Sequence, residues 1–128
     1  LAYVAVAVLL VLALLRWQRM RHERAAEMRR LENFNALTGL PNRKLFMERL
    51  AGALGEAAMR DEGVALIYID LDNFKRINDT LGQAAGDNVL KLVSSRLAHE
   101  VTKTSDGLGR RESAHYSGDE FVVFVRHQ

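Results

Sequence analysis

Val64-Ala65-Leu66-Ile67-Tyr68-Ile69-Asp70-Leu71-Asp72 is the stretch on which the fold turns. Its first six residues are an almost continuous apolar run with β-branched members, and Asp61-Glu62-Gly63 breaks the chain just before it. Such a run predicts a short strand buried at the centre of a sheet. The strand ends in an Asp-x-Asp pair, so carboxylates sit where the apolar run stops.

Downstream, Gly82 and Gly86 flank a predicted loop and Asp87 is a good N-cap. Leu90, Val93, Leu97 and Val101 then recur at helical spacing. The chain closes with Ala114-His115-Tyr116, a tight Ser117-Gly118-Asp119-Glu120 turn and the run Phe121-Val122-Val123-Phe124-Val125, which reads as a β-hairpin. Upstream, Leu37-Thr38-Gly39-Leu40-Pro41 has the residues of a turn, and Asn42 caps a helix from about Arg43 to Met59. Phe46, Leu50, Leu54 and Ala57 are expected along its buried face. The order helix, strand, helix, hairpin predicts an α/β fold with helices packed on a sheet that contains antiparallel strands.

The 128 residues are 48% hydrophobic with one Pro and no Cys, enough for one modest core and incompatible with disulfides or thiolate metal sites. The formal net charge of +2 is unevenly spread. Residues 16–30 hold six Arg against Glu23 and Glu27, a balance of +4, while residues 31–128 carry 12 basic and 14 acidic groups, a balance of −2. No basic face is left for the globular part, which argues against nucleic acid as a partner.

Leu1 to Leu15 hold no charge, and the Arg residues at 16, 19, 21 and 24 follow with Trp17 among them. A span needs about 20 apolar residues, so fifteen make a partial one. Charge after the apolar run, not before it, fits a membrane helix better than a cleaved signal and puts the remainder on the cytoplasmic side of a bacterial-type inner membrane. Residues 1–16 are therefore expected to be a partial transmembrane helix and 17–33 a basic helical stalk. Trp17, Met20, Arg24, Met28 and Leu31 follow an imperfect heptad seam. That seam is compatible with a solvated stalk or with a parallel dimer.

If strand and hairpin are sheet neighbours, Asp70, Asp72, Asp119 and Glu120 converge at one edge. Magnesium prefers hard oxygen ligands, usually one or two carboxylates plus substrate phosphates, and paired ions can stabilise an in-line displacement at phosphorus. On pattern alone, solvated acidic loop ends are the commoner reading.

Four ordered motifs narrow the choice. Leu37-Thr38-Gly39-Leu40-Pro41-Asn42-Arg43, Asp70-Leu71-Asp72-Asn73-Phe74-Lys75-Arg76-Ile77-Asn78-Asp79-Thr80-Leu81-Gly82, Gly86-Asp87 and Ser117-Gly118-Asp119-Glu120-Phe121 resemble successive landmarks of GGDEF-type diguanylate cyclases. The resemblance assigns residues 34–128 to the N-terminal part of such a domain, with a fold similar to the palm of polymerases and adenylyl cyclases. It implies condensation of two GTP into cyclic di-GMP and pyrophosphate, with magnesium or manganese, between two facing domains of a homodimer.

Carried over by position, it implies metal ligation by Asp70, Asp119 and the Leu71 carbonyl. Glu120 would orient or deprotonate the attacking ribose 3′-hydroxyl, and Asp119 would share the catalytic centre. Asn78 and Asp87 would read guanine, whose N1–H and amino donors suit a carboxylate acceptor. Lys75 and the Phe74 backbone would lie along the phosphates, and Gly118 would admit the nucleotide without a Cβ in the way. Each has a plainer alternative: Asp87 as a helix cap, Asn78 as a turn residue, Lys75 as a solvated charge and Phe74 as core.

The chain departs from the motif pattern in several places. Asn35 stands where Asp usually opens the first motif, Gln83 replaces a common His, His115 stands where an Arg usually precedes the turn, and Ser117 replaces the first Gly. Leu108 and Arg111 occupy the positions of the family's Arg-x-x-Asp product site, so no standard product inhibition is expected. Residues 107–113 read as an inserted flexible loop. The family pattern continues past Gln128 with further strands and basic phosphate contacts, so these 128 residues alone are expected not to turn over. The other readings are a degenerate module that binds GTP or a partner without catalysis, and a purely structural dimerisation segment.

Overall fold

The computed structural model describes residues 1–103 and 109–127. Its elements run α1 (Ala2–Asn33), α2 (Arg43–Arg60), β1 (Gly63–Asp70), α3 (Phe74–Leu81), α4 (Gln83–Thr102), β2 (Arg111–Ser117) and β3 (Glu120–His127). The chain divides into two units, Leu1–Glu32 and Asn33–Gln128.

The first unit is a single helix with no buried residue. By length and composition α1 is able to cross a membrane. At its basic half, the Arg21 guanidinium lies over the Trp17 ring, 4.1 Å from the centroid.

The second unit is built on a three-stranded antiparallel sheet in the order β1-β3-β2. Side chains alternate between its faces. One face carries Ala114, Val122 and Phe124, covered by Phe46 and Ala53 of α2 with Leu50 beside them. The other carries Phe121 and Ile69, covered by Leu90, Val93 and Leu97 of α4 and by Leu37 and Leu40 from the segment before α2. Phe121 and Phe124 are fully buried on opposite faces, each worth about 1.5–3 kcal/mol relative to exposure. Helices thus pack on both sides, as expected for an α/β layer.

The local signals before and along α2 work as read. Asn42 Oδ1 accepts from the Leu45 amide at 3.1 Å and caps α2. Asp61 ends it in the left-handed region, with φ at 53°. Within α2, Ala53 is fully buried and Leu54 is half exposed, so the buried face is turned one residue from the expected stripe.

Three expectations are corrected. The central strand is β3, not β1: among the described residues β1 pairs with β3 alone, and Leu66, Ile67 and Tyr68 stay about half exposed. The run Phe121–Phe124 is the one buried on both faces. Second, the predicted loop between Gly82 and Gly86 is helix. A short helix, α3, ends at Leu81, and α4 begins at Gln83. Gly82, at φ 90°, turns the chain between them. Asp87 therefore lies inside α4 and caps nothing. Third, residues 111–113 of the expected loop belong to β2, because the hairpin ladder continues through Arg111↔Val125. The expectation for Gly107 and Leu108 falls outside the described residues.

Candidate active site

Antiparallel register brings the carboxylates together. Asp70, the last residue of β1, is the cross-strand partner of Glu120, the first of β3. The Leu71 amide then donates to the Asp119 carbonyl at 3.0 Å, which ties the strand end to the hairpin tip. The register of β2 shifts by one residue between His115 and Ser117, a bulge that lets Gly118-Asp119 close the hairpin. Neither residue needs a positive φ.

The electrostatics follow from this crowding. Asp70 is held above its ordinary pKa by desolvation first, then by the charges of Asp119 and Glu120, and its carboxyl is within hydrogen-bonding reach of Asp119. Glu120 is moved the other way. The Ser117 hydroxyl donates to its carboxylate, the Tyr68 hydroxyl does the same, and both favour the ionised form against its desolvation. The bond to Glu120 reciprocally pushes the Tyr68 phenol up to about 12. Tyr68 is braced in turn by Tyr116, whose ring meets it edge-on at 6.1 Å and lies 4.9 Å beneath the Arg43 guanidinium.

The donor set fits a divalent cation completed by substrate. Asp70 and Asp119 are two neighbouring carboxylates, and the charged form of Asp70 is disfavoured by desolvation and then by the charges of Asp119 and Glu120. Magnesium sites of this kind use one or two carboxylates and leave the remaining positions to phosphates and water. No group of three or more His, Cys, Asp or Glu side chains among the described residues is arranged to hold a metal alone. Asp72 adds only a weaker repulsion to Asp70.

The remaining candidates lie on α3 and α4. Asn78 is half-buried, and its Oδ1 is enclosed without a hydrogen-bond partner. It sits against Gly86, where an added Cβ would come within 1.8 Å of that oxygen. Asp87, the next residue, is half-buried in α4, so the two helices bring Asn78 and the Gly86-Asp87 pair side by side. The Phe74 side chain packs against the Leu40, Leu90 and Phe121 cluster, which makes it core. Lys75 is exposed at the start of α3. Gly118 is exposed, and a Cβ there would meet nothing.

Sequence reasoning missed Tyr68, Ser117 and Gly86. Period-two alternation puts Tyr68 on the face of Asp70 and was enough to flag it. Ser117 was noted as a departure without its bond to Glu120. The packing of Gly86 on Asn78 depends on α3, which the sequence reading did not separate from the loop.

Comparison with known proteins gives a consistent result. The family model described as "Diguanylate cyclase, GGDEF domain" matches residues 32–128. The diguanylate cyclase TpbB of Pseudomonas aeruginosa is 38% identical over 85% of this chain and 24% of its own length. The cyclic di-GMP phosphodiesterase NbdA of the same species is 42% identical over 78% of this chain and 12% of its own. Among solved structures, the coiled coil and GGDEF domain of DgcB from Caulobacter crescentus, in complex with c-di-GMP, aligns with a TM-score of 0.77 at 30% identity. That alignment covers 93% of this chain and 59% of the DgcB chain. The chain thus spans about an eighth to a quarter of these two curated relatives.

Proposed function

The chain belongs to the GGDEF family of diguanylate cyclases, and from that premise we propose that the protein containing it condenses two GTP into cyclic di-GMP and pyrophosphate at a membrane-anchored homodimer. The observation that carries the reading is the pairing of Asp70 with Glu120 across β1 and β3, with Asp119 beside them.

Asp70, Asp119 and the Leu71 carbonyl would hold magnesium, or manganese, against the triphosphate. The bound ion supplies positive charge that offsets the charge of the phosphates as the α-phosphorus is attacked. Glu120 is held below its ordinary pKa by the Ser117 and Tyr68 hydroxyls, which favours its carboxylate form. It therefore accepts a hydrogen bond from the ribose 3′-hydroxyl and aims that oxygen at the partner nucleotide. In each half-reaction the 3′-oxygen forms a bond to the α-phosphorus, the bond to the β-phosphate bridging oxygen breaks, and pyrophosphate leaves. The hydroxyl proton passes toward the Glu120 carboxylate. Asn78 and Asp87 would read the guanine edge, Lys75 and the Phe74 backbone would line the phosphates, and Gly118 would leave room for the nucleotide. Two such sites must face each other, which makes the homodimer part of the reaction. The helix α1 would anchor the protein as its single or last span, with residues 34–128 on the cytoplasmic side, where GTP is found and a diffusible signal can be released.

A second reading, a module that binds GTP without turning it over, draws support from the phosphodiesterase name of one relative. Expressing the complete protein in membranes, adding GTP with magnesium and separating products by chromatography decides between the two. Cyclic di-GMP and pyrophosphate are expected. GTP bound but unconsumed would favour the second reading.

A further inference from the structure

We infer that His115 is a positioning residue that fixes the Gly118-Asp119 turn from the segment preceding α2. His115 is one of the positions that depart from the family pattern, and nothing in the proposed reaction employs it. It is nevertheless 5% exposed, and both ring nitrogens are engaged. Nε2 lies 2.8 Å from the Gly118 carbonyl oxygen. A carbonyl only accepts, so Nε2 carries the hydrogen. In the neutral ring Nδ1 is then an acceptor, and the Thr38 hydroxyl lies 3.3 Å from it as donor. The ring is stacked on Phe121 at 4.6 Å between centroids, with 11° between the planes. The His115 amide donates to the Pro41 carbonyl at 3.0 Å.

These contacts form one connected path. Asn35 Oδ1 accepts from the Leu37 and Thr38 amides at 2.9 and 3.0 Å, which shapes the loop that presents the Thr38 hydroxyl. Thr38 sets the ring, and the ring holds the Gly118 carbonyl. The next carbonyl, that of Asp119, is held by the Leu71 amide. The two-residue turn that carries Asp119 is thus held at its two successive carbonyls, one by the Leu71 amide just past β1 and one by the His115 ring, which Thr38 contacts from the segment before α2. Two departures from the family pattern, Asn35 and His115, lie in this single network and keep it free of formal charge pairs. A shift of the 35–41 segment would reach Asp119 through His115.

The inference rests on the reading of Asp119 as a metal-binding residue only for its effect on turnover. Its structural content is tested separately, by comparing His115→Gln and His115→Asn in the full-length protein. The glutamine amide places its nitrogen where Nε2 stands and restores donation to Gly118. The asparagine amide reaches only the Nδ1 position, toward Thr38. Both remove the stack on Phe121, so general loosening affects them alike. Amide hydrogen exchange at Leu71 reports whether the turn is held, and imidazole ¹⁵N shifts report the tautomer. The expected result is a hydrogen on Nε2, Leu71 protection retained in His115→Gln, and protection lost in His115→Asn. Cyclic di-GMP formation should stay near the parent rate with Gln and fall about 10²-fold with Asn, the scale of a small misplacement of reacting groups. The Asn variant should also need more magnesium for half-maximal rate. Equal Leu71 protection in the two variants, or a hydrogen on Nδ1 alone, would overturn the inference. A parent that makes no product would instead count against the proposed reaction and leave the exchange result to decide the role of His115.

Discussion

Asp70 and Glu120 are direct cross-strand partners, so the β1–β3 ladder ends in a pair of like charges. Such pairs are destabilising, and the raised pKa of Asp70, set by desolvation and then by Asp119 and Glu120, is the signature. A folded-state pKa above the unfolded one contributes stability that is full below the unfolded value and lost as pH rises through the folded value. At neutral pH an ionised Asp70 therefore opposes folding.

Asp70→Asn should accordingly raise the Tm of the metal-free protein at pH 7, with a gain that shrinks as the pH drops below the carboxylate range. Magnesium should raise the Tm of the parent and leave the variant nearly unmoved. Thermal melts with chelator and with magnesium, at neutral and acidic pH, measure both. A variant that melts below the parent in chelator at pH 7 would show that the pair is not repulsive.

Legibility in the sequence followed the range of the interactions. Asn42 as a cap, the hairpin around Gly118-Asp119 and the apolar stripe of α4 are local, and each was read in place. The central strand was misassigned because β1 and β3 are both short apolar runs, and their order depends on which one finds two neighbours. Helix α3 was missed although Phe74, Ile77 and Leu81 recur at helical spacing, because only eight residues long and ending at Gly82 it merges with the loop expected there. The carboxylates Asp70, Asp119 and Glu120 were legible as motif residues. Their environment was legible only in part: alternation puts Tyr68 on the face of Asp70, but its reach to Glu120 depends on the β1–β3 register, and Ser117 reaches Glu120 through a bulge that no spacing rule specifies.

That pair of donors makes a pH prediction. Glu120 is held below its ordinary pKa mainly by Ser117 and then by Tyr68. A rate that needs the Glu120 carboxylate is lost as pH falls through this lowered value. Removing a donor raises the value, so the acid limb of the pH–rate profile should move to higher pH in Tyr68→Phe, further in Ser117→Gly, and furthest in the double variant. Profiles of kcat begun below the ordinary carboxylate range of about 4 and carried to neutral pH test the order. An acid limb unchanged in all three would show that Glu120 does not govern it.

The apolar run of α1 and the Arg residues behind it make a topological prediction. In sealed inside-out vesicles, protease should digest residues 17–128 from the outside face, while right-side-out vesicles should protect them. Recovery of the full-length protein in the soluble fraction without detergent would count against the span.

Gly86→Ala addresses the nucleotide end of the site. A Cβ at Gly86 would lie 1.8 Å from Asn78 Oδ1 and 3.2 Å from Phe74 Cζ, so the Asn78 side chain must leave its position. Overpacking of this kind costs about 1–3 kcal/mol of stability. Asn78→Ala should lose little stability, since its Oδ1 has no partner to forfeit. Both variants should weaken discrimination of GTP from ATP or ITP, because both remove the same amide from the base edge. Competition binding among the three nucleotides, with melts alongside, separates the shared effect from the unshared one. Full guanine selectivity in Gly86→Ala would mean that Asn78 does not read the base.

Asp119 and Glu120 are adjacent, yet substitution should expose different duties. Asp119→Ala removes one of two carboxylates able to hold the cation and leaves Asp70 facing phosphate oxygens of like charge. Their mutual repulsion should weaken GTP binding together with turnover, and added magnesium should recover part of both. Glu120→Gln keeps the size of the side chain and an acceptor for the Ser117 and Tyr68 hydroxyls, while it removes the charge that orients the attacking 3′-hydroxyl. Loss of a positioned base is worth about 10²–10⁴-fold in rate, and GTP affinity should change far less. Equilibrium binding of a non-hydrolysable GTP analogue and steady-state product formation, measured over a magnesium series, give the two quantities for each variant. Normal turnover in Glu120→Gln, together with undiminished nucleotide binding in Asp119→Ala, would remove both residues from the proposed site. A loss of binding in Glu120→Gln as large as in Asp119→Ala would place Glu120 among the metal ligands instead.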